Sequence, residues 1–264
     1  MLRGQVSDPI ECNLGDSIVL VPSAFGYGHT GAGVLSSADD CAHIAATALR
    51  LWPCARALAS ALHTVQFTLE GLNVLELGAG CGLPGLAAWE AGAARVLLTD
   101  LVEHMDGLKD VINANEAPMH MVSTAPLDWT QPLPEAIRTT RWDVVLAADC
   151  VFWPHLFDPL LSTIASILSS AAGDDEGRQA TATVSANYQR CALLCVEQRL
   201  GRDAEFELFA RQRGWTVTER SLPSVVCFVP CEPSTSAPTH APPSPGSRLL
   251  ELVAPTSRPT CPIR

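Results

Sequence analysis

Val74-Leu-Glu-Leu-Gly-Ala-Gly-Cys-Gly-Leu-Pro-Gly85 is the stretch on which the fold turns. Val74–Leu77 is a short apolar run with strand character. Gly78, Gly80 and Gly82 then let the backbone turn sharply and approach a ligand with no Cβ in the way. Leu83 opens a helix rich in small residues that runs to Ala91. Strand, glycine turn and helix in that order place backbone N–H groups where a nucleoside cofactor can sit. Gly80-Cys-Gly82-Leu-Pro-Gly85 also fits the dinucleotide fingerprint G-x-G-x-x-G. Asp100 ends the next apolar run about 20 residues on, where an acid can grip two ribose hydroxyls. Both S-adenosylmethionine and nicotinamide sites use such an acid, so these residues locate a nucleoside without choosing between them.

The pattern continues outward on both sides. Downstream, Arg95–Asp100, Met119–Ser123, Trp142–Ala148, Ala180–Asn187, Thr216–Glu219 and Arg248–Val253 read as strands. Helices are expected over Glu103–Asn115, with Met105, Leu108, Val111 and Ile112 on one face, over His155–Ser170, and over Glu205–Gly214. Upstream, Ser17–Val21 reads as a strand, Gly26–Gly33 as a loop, and Asp39–Leu62 as helix interrupted near Trp52-Pro53. Strands alternating with helices of this length predict an α/β fold. The form expected is a Rossmann-like, doubly wound, seven-stranded, mostly parallel sheet whose last two strands make an antiparallel terminal edge hairpin. The chain divides into a lead-in over residues 1–50, a core over 51–229, a Pro/Ser/Thr-rich insertion over 230–247 that is too polar to pack, and a last edge strand with tail over 248–264.

The 264 residues, 47% hydrophobic and 17% charged, suffice for one large domain with a full core. A net charge of -11 lacks the basic footprint of a nucleic-acid binder, and suits a basic protein partner such as a lysine-rich surface. No signal peptide and no apolar run of ~18 residues is present, so neither secretion nor a membrane span is expected. Ten cysteines without a C-x-x-C pair read as reduced thiols of a cytoplasmic or nuclear protein rather than a disulfide or zinc framework. His104, His120 and His155 are scattered rather than set at metal-ligand spacing, and neither Cys81 nor Cys150 has a histidine partner in a nucleophile motif. Incidental or structural roles are expected for all five.

Four segments together carry a family resemblance. Glu76-Leu-Gly-Ala-Gly-Cys-Gly-Leu-Pro-Gly85 resembles motif I of the class I (seven-β-strand) S-adenosylmethionine-dependent methyltransferases, and most of all that of the family 16 protein-lysine methyltransferases. Leu51-Trp-Pro-Cys-Ala-Arg-Ala-Leu58 is similar to that family's W-x-A-A-x-x-L stretch, and Leu127-Asp-Trp129 to its L-x-W segment. Trp142-Asp-Val-Val-Leu-Ala-Ala-Asp-Cys-Val-Phe152 is similar to its fourth strand with D-x-x-Y, here with phenylalanine last. Coverage runs from about Leu51 to Trp215.

The resemblance implies a cofactor set of Trp52, Glu76, Gly78, Ala79, Gly80, Gly82, Asp100, Trp129 and Ala148. Gly78, Ala79 and Gly80 would pack on the methionine part, Asp100 would bind the ribose, and Trp129 would lie against the adenine. Trp52 and Ala148 would border the methionine end. Asp149 and Phe152 are the implied catalytic pair. The reaction implied is methyl transfer to a lysine amine of a protein substrate, carried out by a monomer, with no nucleic acid, membrane or metal involved. Read from the residues alone, each tryptophan also suits a core position and Asp149 also suits a cap for the following turn. A small-molecule (nicotinamide-type) N-methyltransferase, a nicotinamide-dependent oxidoreductase and a cofactor-binding protein without activity are the rival functions.

Overall fold

The computed structural model describes residues 10–14, 17–21, 51–63, 67–170, 189–198, 201–222 and 246–255. In chain order these form β1 (Ile10–Leu14), β2 (Ser17–Val21), α1 (Pro53–Leu62), β3 (Asn73–Leu77), α2 (Leu83–Glu90), β4 (Arg95–Asp100), α3 (Met105–Ala114), β5 (Val122–Pro126) and α4 (Glu135–Arg138). Next come β6 (Val144–Ala148), α5 (Phe157–Leu168), β7 (Cys191–Glu197), α6 (Arg202–Gln212), β8 (Thr216–Arg220) and β9 (Ser247–Val253). Strands β3 to β9 make one seven-stranded sheet in the order β5-β4-β3-β6-β7-β9-β8. β1 and β2 pair antiparallel as a separate hairpin.

From β5 to β7 every neighbouring pair is parallel, and β9 runs antiparallel to both β7 and β8. The first strand of the sheet, β3, lies at its middle. The chain moves outward through β4 to β5, then crosses back to β6 on the other side of β3. The order therefore reverses between β3 and β6, and in open α/β sheets ligands bind past the carboxyl ends of strands at such a point.

Burial explains why these short runs are strands. Alternate side chains point to opposite faces, and here both faces are covered. Val74, Val96, Leu98, Val144 and Leu146 pack into a layer with Leu58 and Leu62 of α1, Leu86 of α2, and Leu108 and Val111 of α3. Leu75, Leu77, Leu97, Val145 and Ala147 pack on the other side with Phe157, Leu160, Ile164 and Ile167 of α5 and Phe206 of α6.

Three expectations need correction. The strand beside β6 is Cys191–Glu197, whereas Ala180–Asn187 lies outside the described residues, as do Gly26–Gly33 and the helical stretch from Asp39 to Arg50. Cys191 and Cys195 are fully enclosed and act as small apolar core residues, completing a continuous buried run with Ala192, Leu193, Leu194 and Val196. The third sheet strand sits three residues later than expected, over Val122–Pro126. The N–H groups of Met121 and Val122 turn back to the carbonyl of Pro118, which leaves Met119 in solvent. Finally, the last two strands do pair antiparallel, but β9 lies inside and β8 forms the edge. Apart from Gly246 and Ser247, the stretch 230–247 is outside the described residues.

β9 is ladder-bonded to β7 and β8, and its Arg248 adds ion pairs to that placement. Its guanidinium donates to Asp203 on α6 at 3.0 Å, Glu207 on α6 at 2.8 Å and Glu219 on β8 at 3.0 Å. The Asp203 carboxylate is almost fully enclosed. Removing one partner of such a pair leaves a buried charge uncompensated. Arg248→Leu is expected to cost about 3 kcal/mol, or roughly 6–12 °C in a thermal melt. Adding Asp203→Asn should recover part of the loss, and an additive double variant would contradict the pairing.

Candidate functional site

The registers set the site. Leu77 lies opposite Thr99 on one side and Ala147 on the other. One residue further along the three strands come Gly78, Asp100 and Ala148, at the sheet's carboxyl edge. Gly78 has φ +58° and Gly82 φ +68°, left-handed conformations in which a side chain is strained. The turn they enclose closes on itself through the N–H of Gly82 to the carbonyl of Ala79, 2.7 Å. A Cβ on Gly78 would sit 2.9 Å from Cys150 Sγ and 3.3 Å from Trp129 Cζ2, so the turn already meets an aromatic plane and a thiol at close range.

Two carboxyl groups hold the turn. Glu76, 1% exposed, points under it and accepts the N–H of Gly85 at 2.8 Å through Oε2. A Cβ at Gly85 would collide with Leu98 and Glu76, so helix and sheet fit closely only with glycine there. Asp100 stands at the side. Its Oδ2 accepts the N–H of Gly80 at 2.7 Å, and its Oδ1 accepts the N–H of Leu101 at 2.7 Å and Nδ1 of His104 at 2.8 Å. Thr99 ties the strands together, its hydroxyl donating to the carbonyl of Glu76 at 2.6 Å.

The third wall is the end of β6. Asp149 has φ +58°, one of two non-glycine residues with positive φ among the described residues. Its N–H donates to the carbonyl of Cys195 at 2.9 Å. Cys150 turns inward, fully enclosed, with its thiol 3.5 Å from the carbonyls of Leu77 and Ala148. Phe152 points outward and is 43% exposed. Its ring meets Trp153 edge-on at 5.0 Å, and Trp153 stacks on His155 at 5.5 Å. Trp129 follows β5 and is joined to α5 by Thr163, whose hydroxyl lies 3.4 Å from the Trp129 carbonyl.

The structure thus brings Gly78, Ala79, Gly80, Asp100, Trp129, Ala148 and Asp149 to one edge, with Phe152 at the rim. Trp52 precedes α1, half-buried, and its carbonyl accepts the N–H of Ala55 at 3.1 Å. Two further residues of the expected cofactor set shape the turn itself. Glu76 is 1% exposed and pins the turn from below. Gly82 faces Leu98 and Leu108, so its value is backbone conformation and close packing.

Sequence reasoning set His104 and Cys150 aside. His104 is buried on Asp100, and the i, i+4 spacing of the two was the signal available. Cys150 packs on Gly78, a contact between residues 72 positions apart that no local pattern announces.

The electrostatics follow from burial. Enclosure pushes the Glu76 carboxyl well above the usual range, offset in part by the Gly85 N–H. The hydrogen bond to Asp100 raises the His104 imidazole, against the opposing effect of burial. Burial drives the Cys81 thiol up to about 12 and Cys12 up to about 11, and lifts Cys150 as well. The Cys54 thiol is raised first by its hydrogen bond with Cys195 and then by burial. None of these thiols is a nucleophile in its native setting.

A nucleoside carrying a methionine-like chain suits these residues. The turn offers a cradle that a Cβ would fill, Trp129 offers a flat face, and the Asp100 carboxylate keeps an acceptor position open on Oδ2.

Two measurements check this chemistry. A carboxyl raised above its unfolded value of ~4.3 supports folding fully only below that value, and its support fades as pH climbs toward the folded value. The stability of Glu76→Gln relative to the unaltered chain should therefore be higher at pH 8 than at pH 5, read from denaturant midpoints. A gap that is the same at both pH values would contradict the burial effect. Site-resolved iodoacetamide labelling of the native protein at pH 8 should leave Cys12, Cys54, Cys81 and Cys150 unmodified, and rapid labelling of Cys150 would show that the turn opens.

Comparison with known proteins assigns the chain. The mouse histone-arginine methyltransferase METTL23 is 33% identical over 117 residues, 43% of this chain and 45% of that protein. Mouse protein N-lysine methyltransferase METTL21A is 33% identical over 123 residues, 46% of this chain and 55% of that protein. The chain thus spans about half the length of the curated relatives it matches. An O-methyltransferase family protein from Burkholderia thailandensis shares the fold, with a TM-score of 0.51 at 13% identity over 83% of this chain and 60% of that one. The lysine methyltransferase family profile matches residues 36–173, more than half of the 264, and takes in the glycine turn, Asp100, Trp129 and Asp149. On that match, the chain belongs to the lysine methyltransferase family.

Proposed function

We propose that this protein is an S-adenosylmethionine-dependent N-methyltransferase that modifies a lysine side chain of a protein substrate. The observation that carries the reading is the meeting of Gly78, Asp100 and Ala148-Asp149 at adjacent strand ends, with Trp129 and Cys150 packed on the glycine. Gly78, Ala79, Gly80, Asp100, Trp129 and Ala148 would hold the cofactor, with Trp52 at its methionine end. When bound, S-adenosylmethionine supplies an electrophilic methyl group on its sulfonium sulfur.

The remaining steps fall to the chain's own residues. A lysine amine has an unperturbed pKa of ~10.4 and must shed a proton before it can attack. Asp149, fixed at the crevice mouth by its backbone bond to Cys195, accepts a hydrogen bond from the amine, orients its lone pair, and helps the proton depart. Phe152, Trp153 and His155 form an aromatic rim that displaces water from the approaching side chain and favours its neutral form. Phe152 has no hydroxyl, so the rim acts through shape and desolvation.

The acidic chain, net charge -11, suits a basic protein surface as partner. Among the described residues no helix is long and apolar enough to cross a membrane. We place the protein in the cytoplasm with access to the nucleus, as a monomer that uses neither nucleic acid nor membrane. Residues 51–229 would form its catalytic core, while residues 1–50 and the insertion 230–247 would shape acceptor choice.

An arginine acceptor is the second reading, favoured by the similarity to METTL23, a histone-arginine methyltransferase. Incubation of a proteome extract with isotope-labelled S-adenosylmethionine, followed by mass-spectrometric site mapping, separates the two. Label on lysine is expected. Label only on arginine, only on small molecules, or on nothing would overturn the lysine assignment. Asp149→Ala should lower turnover about 10²- to 10⁴-fold while S-adenosylhomocysteine binding stays within about threefold. Equal loss of both would move Asp149 into the cofactor site.

A further inference from the structure

The Asp100 carboxylate is more fully engaged than a free ribose-binding acid would be. An ionised carboxylate has about four acceptor positions. Three are filled, two on Oδ1 by Leu101 N–H and His104, and one on Oδ2 by Gly80 N–H. Among the described residues no second donor reaches Oδ2, and that open position lies beside the glycine turn.

The two backbone donors come with the fold, because Gly80 and Leu101 sit wherever the strands place them. His104 does not. It reaches Asp100 across one 3-10 turn, Val102–His104, that leads into α3. Its side chain is 6% exposed, and its Nε2 is buried without a hydrogen-bond partner among the described residues. Burying an imidazole with one ring nitrogen unsatisfied costs free energy that an apolar residue would avoid. The contact recovered is the 2.8 Å bond from Nδ1 to Oδ1. With a carboxylate as acceptor, Nδ1 must carry the hydrogen. Glu103 beside it and Glu76 behind Asp100 are the other charged groups acting on this pair.

Rotation of a carboxylate about its last torsion is soft and roughly two-fold. A donor on each oxygen therefore sets the plane of the group. Gly80 holds one oxygen and Leu101 the other, and His104 adds a charge-assisted side-chain bond that stiffens the Oδ1 end. We propose that His104 is a positioning residue for the cofactor: its Nδ1–H fixes the Asp100 carboxylate so that the open position on Oδ2 takes a ribose hydroxyl. The inference rests on the S-adenosylmethionine reading above and extends it to a residue outside the four resembling segments.

Isothermal titration with S-adenosylhomocysteine and its 2′,3′-dideoxy analogue tests it, on the full chain and on His104→Leu and His104→Asn. The unaltered chain should prefer the diol. In H104L the Kd for S-adenosylhomocysteine should rise roughly tenfold, the scale of one hydrogen bond to a charged group, with the dideoxy Kd unchanged within about twofold. H104N, whose amide can donate to Oδ1, should keep the preference within about threefold. Equal weakening of both ligands in H104L would show a merely structural role and overturn the proposal, as would an unchanged preference.

Should H104L not fold, the ring-nitrogen resonances of the 15N-histidine-labelled natural chain decide, with His104 assigned by its loss in H104N. The His104 Nδ1 signal should shift with S-adenosylhomocysteine and much less with the dideoxy analogue. Equal shifts, or none, would overturn it. Failure of the unaltered chain to bind either ligand refutes the cofactor reading itself, an outcome distinct from binding that ignores His104.

Discussion

Two enclosed carboxyl groups hold the glycine turn, and the site depends on them. Glu76 takes the N–H of Gly85 from beneath, and Asp100 takes the N–H of Gly80 from the side. Each satisfies a backbone donor that would otherwise be buried without a partner. Glycines free the backbone to bend, but freedom alone leaves an ensemble of bends. The carboxyl groups select one. Their proximity has a cost, because Asp100 adds to the burial that already disfavours ionised Glu76. His104 and Leu101 answer on the other side of Asp100, so the turn is held by a small polar network whose members depend on one another.

That network can form only because the sheet brings its parts level. Leu77 pairs with Thr99 and with Ala147, and the next residue on each strand is Gly78, Asp100 or Ala148. A one-residue slip of β4 would turn Asp100 to the opposite face and present a threonine or leucine to the turn. The register is held by apolar layers on both faces, with Leu98 and Val96 on one and Leu97 on the other. Hydrophobic packing thus sets the position of a polar site to within one residue.

Much of this was legible in the sequence, and the rest was not, for identifiable reasons. The strand, glycine turn and helix announce themselves because the chemistry is local: positive φ favours glycine, and Pro84 in the first turn suits a helix start. Asp100 was legible through its spacing from the turn. β7 was misplaced because Cys191 and Cys195 read as thiols, whereas in the fold they fill core positions as small apolar residues do. β9 was assigned to the edge because chain order suggests the end of the sheet, but it pairs with both β7 and β8 and so lies inside. Glu76 carries the motif and yet lies under the turn, a depth that spacing does not encode. Cys150 meets Gly78 only through tertiary structure.

The end of β6 is followed by residues that face different ways. Ala148 is half-buried at the sheet edge, and Asp149 then adopts a left-handed backbone that an L-residue enters at a cost of roughly 1–2 kcal/mol. The bend has a consequence for its neighbours. Cys150 turns in against Gly78, and two residues later Phe152 turns out toward Trp153. Past the bend the two-residue alternation of a strand is not kept, since Cys150 and Phe152 face opposite ways. A buried thiol and an exposed aromatic ring thus lie within four residues of the end of β6. Strain of this kind persists where surrounding contacts outweigh it. Here the bond from the Asp149 N–H to Cys195 and the enclosure of Cys150 supply that weight.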